Sequence, residues 1–231
     1  MVYKIETHLH TIVSSSCGKL TPEEILLGYK KGGYKGLVVT DHLNRSAARH
    51  LKVDLSDKKE AYKAFFQGFL ELEKISRDEE ITTYLGAELR FDDNQNDFLI
   101  YGFTPDLFYD LDTIFKEGLA KFYPKAKAHG AIIIQAHPFR NGCFLAESEF
   151  LDGIEAFNLN IRHENNNADA YKAAKKHHLS MISGSDCHRS NNMALGGIIT
   201  DILPKDSSEL THMIKRKKYL NFTTPVEYLD F

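Results

Sequence analysis

Extended apolar runs that alternate with amphipathic helical stretches leave this chain few folds to choose from. The run "YKIETHLH" gives way to "TPEEILLGYKKGG", where Thr21 suits an N-cap, Pro22 the first helical position and Glu24 a capping box, with Gly32-Gly33 as the stop. "GLVVTDH" reads as strand. Residues 57–76 read as a long helix with Tyr62, Phe65, Phe66, Phe69, Leu70 and Leu72 on its apolar side. "TTYLGAELRF" and "DFLIYGF" are two strands joined by the polar turn "DDNQN", and 105–129 is helical in two pieces. "AIIIQAHP" and "GIEAFN" are buried strands, "NADAYKAAKKHH" a helix and "LSMISGSDCH" a strand. "GGIITDI" is an eighth extended run and "SSELTHMIKRKK" a closing helix. Continuous apolar strands separated by helices predict a largely parallel sheet. Without a long linker, internal repeat or low-complexity segment, residues 1–231 are expected to form a single α/β domain, a closed or nearly closed β/α barrel.

The composition excludes several classes. Hydrophobic residues at 42% and charged residues at 26% fit an ordinary soluble globular chain. A formal net charge of -3 writes no general attraction to nucleic acid into the chain. The "RKK" cluster at 216–218 reads as the charged last turn of a helix. Apolar runs such as "AIIIQA" and "GLVV" are too short to span a bilayer, and no signal segment precedes Val2, so a cytoplasmic location is expected. Cys17, Cys143 and Cys187 are scattered with no C-x-x-C pair, which argues against a disulfide framework or a cysteine-based zinc finger.

Chemistry gathers at the strand ends. His8 and His10 lie two apart in "ETHLHT", so both side chains fall on one face of a strand, roughly 7 Å apart. The second strand ends in Asp41 and His42, the third carries Glu88, the fifth ends in "QAHPFR" with His137 and Arg140, and the seventh in "GSDCH" with Asp186 and His188. In a parallel barrel those ends share one face, where active sites are built. His50, His129, His163, His177, His178 and His212 fall in helices or loops and read as surface or helix-end residues. A carboxylate inside a buried apolar strand is costly unless paired or metal-bound. The joint pattern of imidazoles and carboxylates predicts a polynuclear site for zinc, iron or manganese, with Glu88 able to bridge two ions.

"THLHT", "TDH", "GAE", "AHPFR" and "GSDCH", in that order and at these spacings, resemble the PHP (polymerase and histidinol phosphatase) family from Glu6 to about Gly197. The resemblance implies a distorted seven-stranded β/α barrel that holds two or three divalent transition-metal ions and hydrolyses phosphoesters. One ion would take His8, His10, Glu88 and Asp186; a second would share Glu88 and take His137; a third would use His42 and His188. Two positions depart from the pattern. Asp97 in "DFLIYG" stands where the family usually has a histidine for the second ion, a change toward harder ions such as manganese. The loop "TIVSSSCGK" offers the third ion only Ser14, Ser15, Ser16 and Cys17; a Cys17 thiolate would favour zinc or iron, but Cys17 reads as a plain loop residue and the third site as weak or empty.

The expected reaction is attack on a phosphomonoester or phosphodiester by a metal-bound hydroxide, with Glu88 holding the ions. Arg140 is the favoured phosphate fork, ahead of Arg90 and Arg189, and Asn158 at the end of "EAFN" is a further candidate facing the bowl. The expected substrate is a small phosphorylated metabolite, a nucleotide or a short oligonucleotide. The rival readings are a metal-dependent amidohydrolase, which generally carries a strand-borne lysine that is missing here, and a regulatory domain whose site has decayed.

Overall fold

The computed structural model describes residues 2–224 and 227–229. Its strands are β1 (Tyr3–Leu9), β2 (Tyr34–Val39), β3 (His42–Leu43), β4 (Thr82–Arg90), β5 (Asp97–Tyr101), β6 (Ile132–Gln135), β7 (Gly153–Asn158), β8 (Ser180–Gly184), β9 (Gly196–Thr200), β10 (Leu220–Thr223) and β11 (Glu227–Leu229). They form one sheet in the order β11-β10-β9-β1-β2-β4-β5-β6-β7-β8, with β3 paired to β4. From β1 to β8 the neighbours run parallel except at β5, which is antiparallel to both β4 and β6. A parallel bridge between Leu9 and Cys187, just beyond β8, brings the two sides together. There His10 N donates to Cys187 O at 2.9 Å and Cys187 N to His8 O at 3.0 Å. The result is a nearly closed, mostly parallel, distorted barrel, as the alternation of strands and helices predicts.

The helices are α1 (Pro22–Lys31), α2 (Arg45–Leu51), α3 (Lys58–Ser76), α4 (Leu111–Glu117), α5 (Leu119–Ala128), α6 (Asn167–His177) and α7 (Ser207–Lys215). The capping box of α1 is formed: Glu24 N donates to Thr21 Oγ1 at 3.3 Å and Thr21 N to the Glu24 carboxylate at 2.9 Å. On α3, Phe65, Phe66 and Leu72 are buried, whereas Leu70 faces solvent, a correction to the apolar side drawn from sequence. Further elements escape the sequence reading, among them α2 and β10. The short helix α2 starts at Asn44, whose side chain accepts from Ala47 N, and β10 adds to β9 outside the barrel. The eighth extended run, β9, pairs antiparallel with β1 and so lies outside the parallel set. No described helix is long and apolar enough to cross a membrane.

This topology decides what meets at the rim. The C-terminal ends of the parallel strands open on one face. Because β5 runs the other way, it is its first residue, Asp97, that reaches that face, directly opposite Arg90 of β4. Below the rim, Tyr84, Leu99 and Tyr101 continue the faces that carry Glu88 and Asp97, and they pack with Ile5, Ile134 and Ile182 into an apolar floor. Leu210 and Ile214 of α7 seal that floor.

Asp41 does not join the bowl. It is buried, and its carboxylate accepts from Thr11 N (2.7 Å), Thr11 Oγ1 (2.7 Å) and Ser15 Oγ (2.7 Å), pinning the loop after β1. Gly68 of α3 packs on this knot; a Cβ there would lie 2.2 Å from Thr11 Oγ1 and 2.3 Å from Asp41 Oδ2. Alanine normally stabilises a helix over glycine by about 1 kcal/mol, but overpacking costs about 1–3 kcal/mol. Gly68→Ala is therefore expected to lower the urea midpoint, with a net loss of up to about 2 kcal/mol. A raised midpoint would show that the knot yields.

Candidate metal centre

Glu88 is the hub. Its carboxylate is fully buried, with Oε1 3.1 Å from His137 Nε2 and 3.3 Å from His8 Nε2. Oε2 lies 2.6 Å from His42 Nδ1 and 3.4 Å from His10 Nε2. Asp186 closes the cluster, with Oδ1 3.5 Å from His8 Nε2, 3.4 Å from His10 Nε2 and 3.2 Å from His188 Nδ1. The bowl thus brings together the five strand-end histidines, Glu88, Asp186 and Asp97.

Several close pairs are not hydrogen bonds. His8 Nε2, His10 Nε2, His42 Nδ1 and Glu88 Oε2 are buried and have no hydrogen-bond partner. Buried polar atoms are normally satisfied, so orphans converging on one point indicate that something else satisfies them. Among the described residues, three overlapping donor sets lie within 4.8 Å: His8, His10 and Glu88; His42, Glu88 and Asp97; and His10, His42 and His188. Imidazole nitrogen and carboxylate oxygen are the donors that zinc, manganese and iron accept, so the residues fit divalent ions.

The outer atoms of these rings are held by partners that sequence reasoning missed. His8 Nδ1 lies 2.9 Å from Glu155 Oε1, whose other oxygen accepts from His137 N at 3.1 Å and from Asn158 Nδ2 at 2.8 Å. His10 Nδ1 lies 3.3 Å from Ser15 Oγ, which is itself anchored on Asp41. Such carboxylate and hydroxyl partners fix ring orientation and tautomer at metal sites. Gly184 makes room for the His8–Glu155 pair, since a Cβ there would lie 2.7 Å from Glu155 Oε1 and from His8 Cβ. His137 (φ 29°) and Asp186 (φ 47°) have left-handed backbones, which are sterically costly for residues with a Cβ and recur at functional sites. Asn160 and Asn192 Nδ2 both donate to Asp186 O, at 3.2 and 2.9 Å, and hold it there.

The arginines divide. Arg90 donates through Nε and Nη2 to both oxygens of Asp97, at 2.8 and 2.5 Å, so two of its three guanidinium nitrogens are committed to that carboxylate. Asp97 is buried, not a solvated turn residue, and its Oδ2 lies 3.9 Å from His137 Nε2. Arg90 neutralises the charge that Asp97 brings in place of a neutral histidine. Arg140 donates through Nη2 to Asp186 Oδ2 (2.6 Å) and Asn158 Oδ1 (3.0 Å) and through Nε to Asn165 Oδ1 (2.9 Å). Asn158, with its Oδ1 also accepting from Asn160 N, braces Glu155 and Asp186 instead of standing open to the bowl. Arg189, next to His188, is exposed. Cys17 is no plain loop residue: its Sγ lies 3.1 Å from His42 Nε2.

Charge explains the titration. Burial disfavours a charged His8, but Glu155, Asp186 and Glu88 outweigh it and raise its pKa well above the usual value. Burial together with His188 and His42 holds His10 well below it. Burial would raise Glu88 and Asp186, yet the surrounding imidazoles keep both carboxyls well below the ordinary range. In the metal-stripped protein, protons on the histidines supply the positive charge that the carboxylates require.

A model of the PHP domain family matches residues 6–223. The chain belongs to the PHP family. The match runs past the last sequence motif and takes in β9, α7 and β10. A comparison with curated proteins finds no match. Among solved structures, the chain is similar to a two-domain protein from Bacteroides vulgatus containing a predicted PHP-like metal-dependent phosphoesterase, at TM-score 0.69 and 14% identity. That match covers 96% of this chain and 65% of the other, so the chain spans less than two thirds of that protein. A putative metal-dependent phosphoesterase from Bifidobacterium adolescentis matches at TM-score 0.57 and 15% identity, covering 92% of this chain and 96% of that one. An amidohydrolase from Chromobacterium violaceum, with bound sulfate and no metal, matches at TM-score 0.57 and 15% identity, covering 94% and 97%. At these identities the likeness is one of fold.

Burial opposes the charged forms of His137 and His188, yet hydrogen bonds and neighbouring carboxylates raise both pKa values from 6.5 to about 9. A raised folded-state pKa stabilises the fold fully below the unfolded value of 6.5, and that stabilisation is lost as pH rises through about 9. Metal binding requires the rings to be deprotonated. The metal-stripped PHP chain should therefore lose urea stability between pH 6.5 and about 9, while metal affinity rises over the same interval. A flat profile for both quantities would contradict this charge balance.

Proposed function

We propose that this PHP-family chain is a metal-dependent phosphoesterase acting on a small phosphorylated metabolite, a nucleotide or a short oligonucleotide. The observation that carries the reading is the orphaned donor cluster around Glu88, a buried carboxylate facing imidazoles on both oxygens. His8, His10, Glu88 and Asp186 would hold one ion, Glu88, His137 and Asp97 a second, and His42 and His188 a third. Divalent ions bound there supply Lewis-acid stabilisation of phosphoryl oxygens and activate water.

The chain's own groups orient the rest. Glu155 and the Asp41–Ser15 pair hold the His8 and His10 rings, so little reorganisation is needed when charge develops. Arg140 is 16% exposed, and its Nη1 makes no hydrogen bond to a described residue, which leaves that NH2 group for a phosphoryl oxygen. Arg90 supports Asp97 through Nε and Nη2. Beside His42 opens a cleft of about 130 Å³ lined by Ser16, Cys17, Asn44 and Arg90. Ligand pockets for drug-sized molecules run to about 300 Å³ or more, so this size favours a terminal phosphoryl group with the remainder of the substrate outside.

The amidohydrolase reading has a fold neighbour in its favour, whereas the sulfate bound in that neighbour is a tetrahedral oxyanion like a phosphoryl group. The described lysines on β1 and β2, Lys4 and Lys35, are directed to Gly32 O and Glu80 and not into the bowl. A panel of phosphomonoesters, phosphodiesters and amides, each with added manganese or zinc, separates these readings. Phosphoester turnover is expected; turnover of amides alone would favour the rival, and no turnover with any metal would point to a decayed site. Within the active reading, Glu88→Gln should reduce kcat/KM by more than about 100-fold, beyond the 10–100-fold typical of outer partners, and by more than His42→Ala does. Equal losses in the two variants would count against a shared role for Glu88.

A further inference from the structure

Cys17 is the feature of the bowl that the phosphoesterase reading leaves unused. Its loop is tied on both sides to the segments that carry His42 and His188. His42 N donates to Ser15 Oγ at 3.0 Å, and Lys19 N donates to His188 O at 2.8 Å. Gly18 N closes the turn on Ser15 O at 3.1 Å, and a Cβ on Gly18 would lie 2.3 Å from Thr11 O, so the loop is compact. Cys17 Sγ thereby reaches His42 Nε2 at 3.1 Å.

The imidazoles around it are arranged as donors. His42 turns Nδ1 toward Glu88 at 2.6 Å, which leaves Nε2 for Cys17. His188 Nδ1 lies 2.9 Å from Asp186 O, so its outer nitrogen, Nε2, is the one available. The His10 ring lies 4.4 Å from that of His42 and 4.1 Å from that of His188, and its Nε2 is buried and unpartnered. One nitrogen from each of these three rings falls within 4.8 Å of the others.

We propose that Cys17 is a thiolate ligand, so that Cys17, His42 and His188 form a nitrogen–sulfur site for a thiophilic divalent ion such as zinc, beside the carboxylate-bridged ions. This rests on the metal-dependent reading above. On a tetrahedral ion, zinc–nitrogen and zinc–sulfur bonds of about 2.0 and 2.3 Å would separate the two donors by about 3.5 Å. The observed 3.1 Å needs an opening of only a few tenths of an ångström. Thiolate donors select zinc and other soft ions, whereas carboxylate-rich sites suit manganese, so the bowl would sort two metals by ligand type.

Cobalt(II) titration of the metal-stripped full chain tests this. The wild type should develop a near-ultraviolet thiolate-to-cobalt charge-transfer band, which zinc displaces and manganese does not. Cys17→Ser should lose the band and bind about one ion fewer, while Cys143→Ser keeps it. A band that survives in Cys17→Ser, or that is lost in Cys143→Ser instead, would overturn the assignment. Cys17→His, which replaces the sulfur with a nitrogen donor, should restore the ion count without the band, and a count that stays low there contradicts a ligand role. Two bound ions with phosphoesterase activity and no thiolate band would defeat this inference alone; a wild type that binds no ion would defeat the phosphoesterase reading itself.

Discussion

A fully buried carboxylate is tolerated only where opposite charge or hydrogen bonds meet it, and the rim of this barrel is organised around Glu88. Four imidazole nitrogens stand within 3.4 Å of its oxygens. They arrive from β1, from β3 and from just beyond β6, which are distant in sequence and adjacent only once the sheet has curled. Closure at Leu9 and Cys187 places His8 and His10 opposite Asp186. In the metal-stripped state imidazole protons balance the acid; divalent ions would do so with more charge per site and without the orphaned nitrogens.

Holding this cluster requires backbone that is unfavourable in isolation. Left-handed conformations at His137 and Asp186 cost of order 1–3 kcal/mol each and persist when the surroundings over-determine them. Glu155 accepts from His137 N, and Asn160 and Asn192 grip the Asp186 carbonyl. The asparagine-rich stretch after β7 is thus a brace for the residues of the candidate metal centre. Local strain, outer hydrogen bonds and metal chemistry converge on the same few residues, the pattern expected where preorganisation serves function.

Much of this was legible in the sequence because strand periodicity and strand ends carry so much of the information. His8, His10, His42, Glu88, His137, Asp186 and His188 could be assigned to one face once the strands were recognised as mainly parallel. Glu6 and Glu155 carry a further readable signal: an acid inside an apolar strand must find partners, and both do. The Arg90–Asp97 pair is hidden in the sequence because the register across the six-residue connection 91–96 is not fixed by composition; the two residues are direct cross-strand partners. The contact between Cys17 and His42 depends on a loop fold set by Asp41, and nothing in "SSSCGK" alone encodes that. Helix α2 is too short for apolar periodicity to declare it, although Asn44 offered an N-cap.

The central claim is that Glu88 is the shared carboxylate of a polynuclear centre, and anomalous scattering from crystals of the protein purified with its native metals tests it most directly. At least two anomalous peaks are expected in the bowl, two of them about 2.0–2.2 Å from Glu88 oxygens. A bowl with a single peak that Glu88 does not touch, or with no peak and the Glu88 carboxylate paired only to protonated histidines, would contradict it.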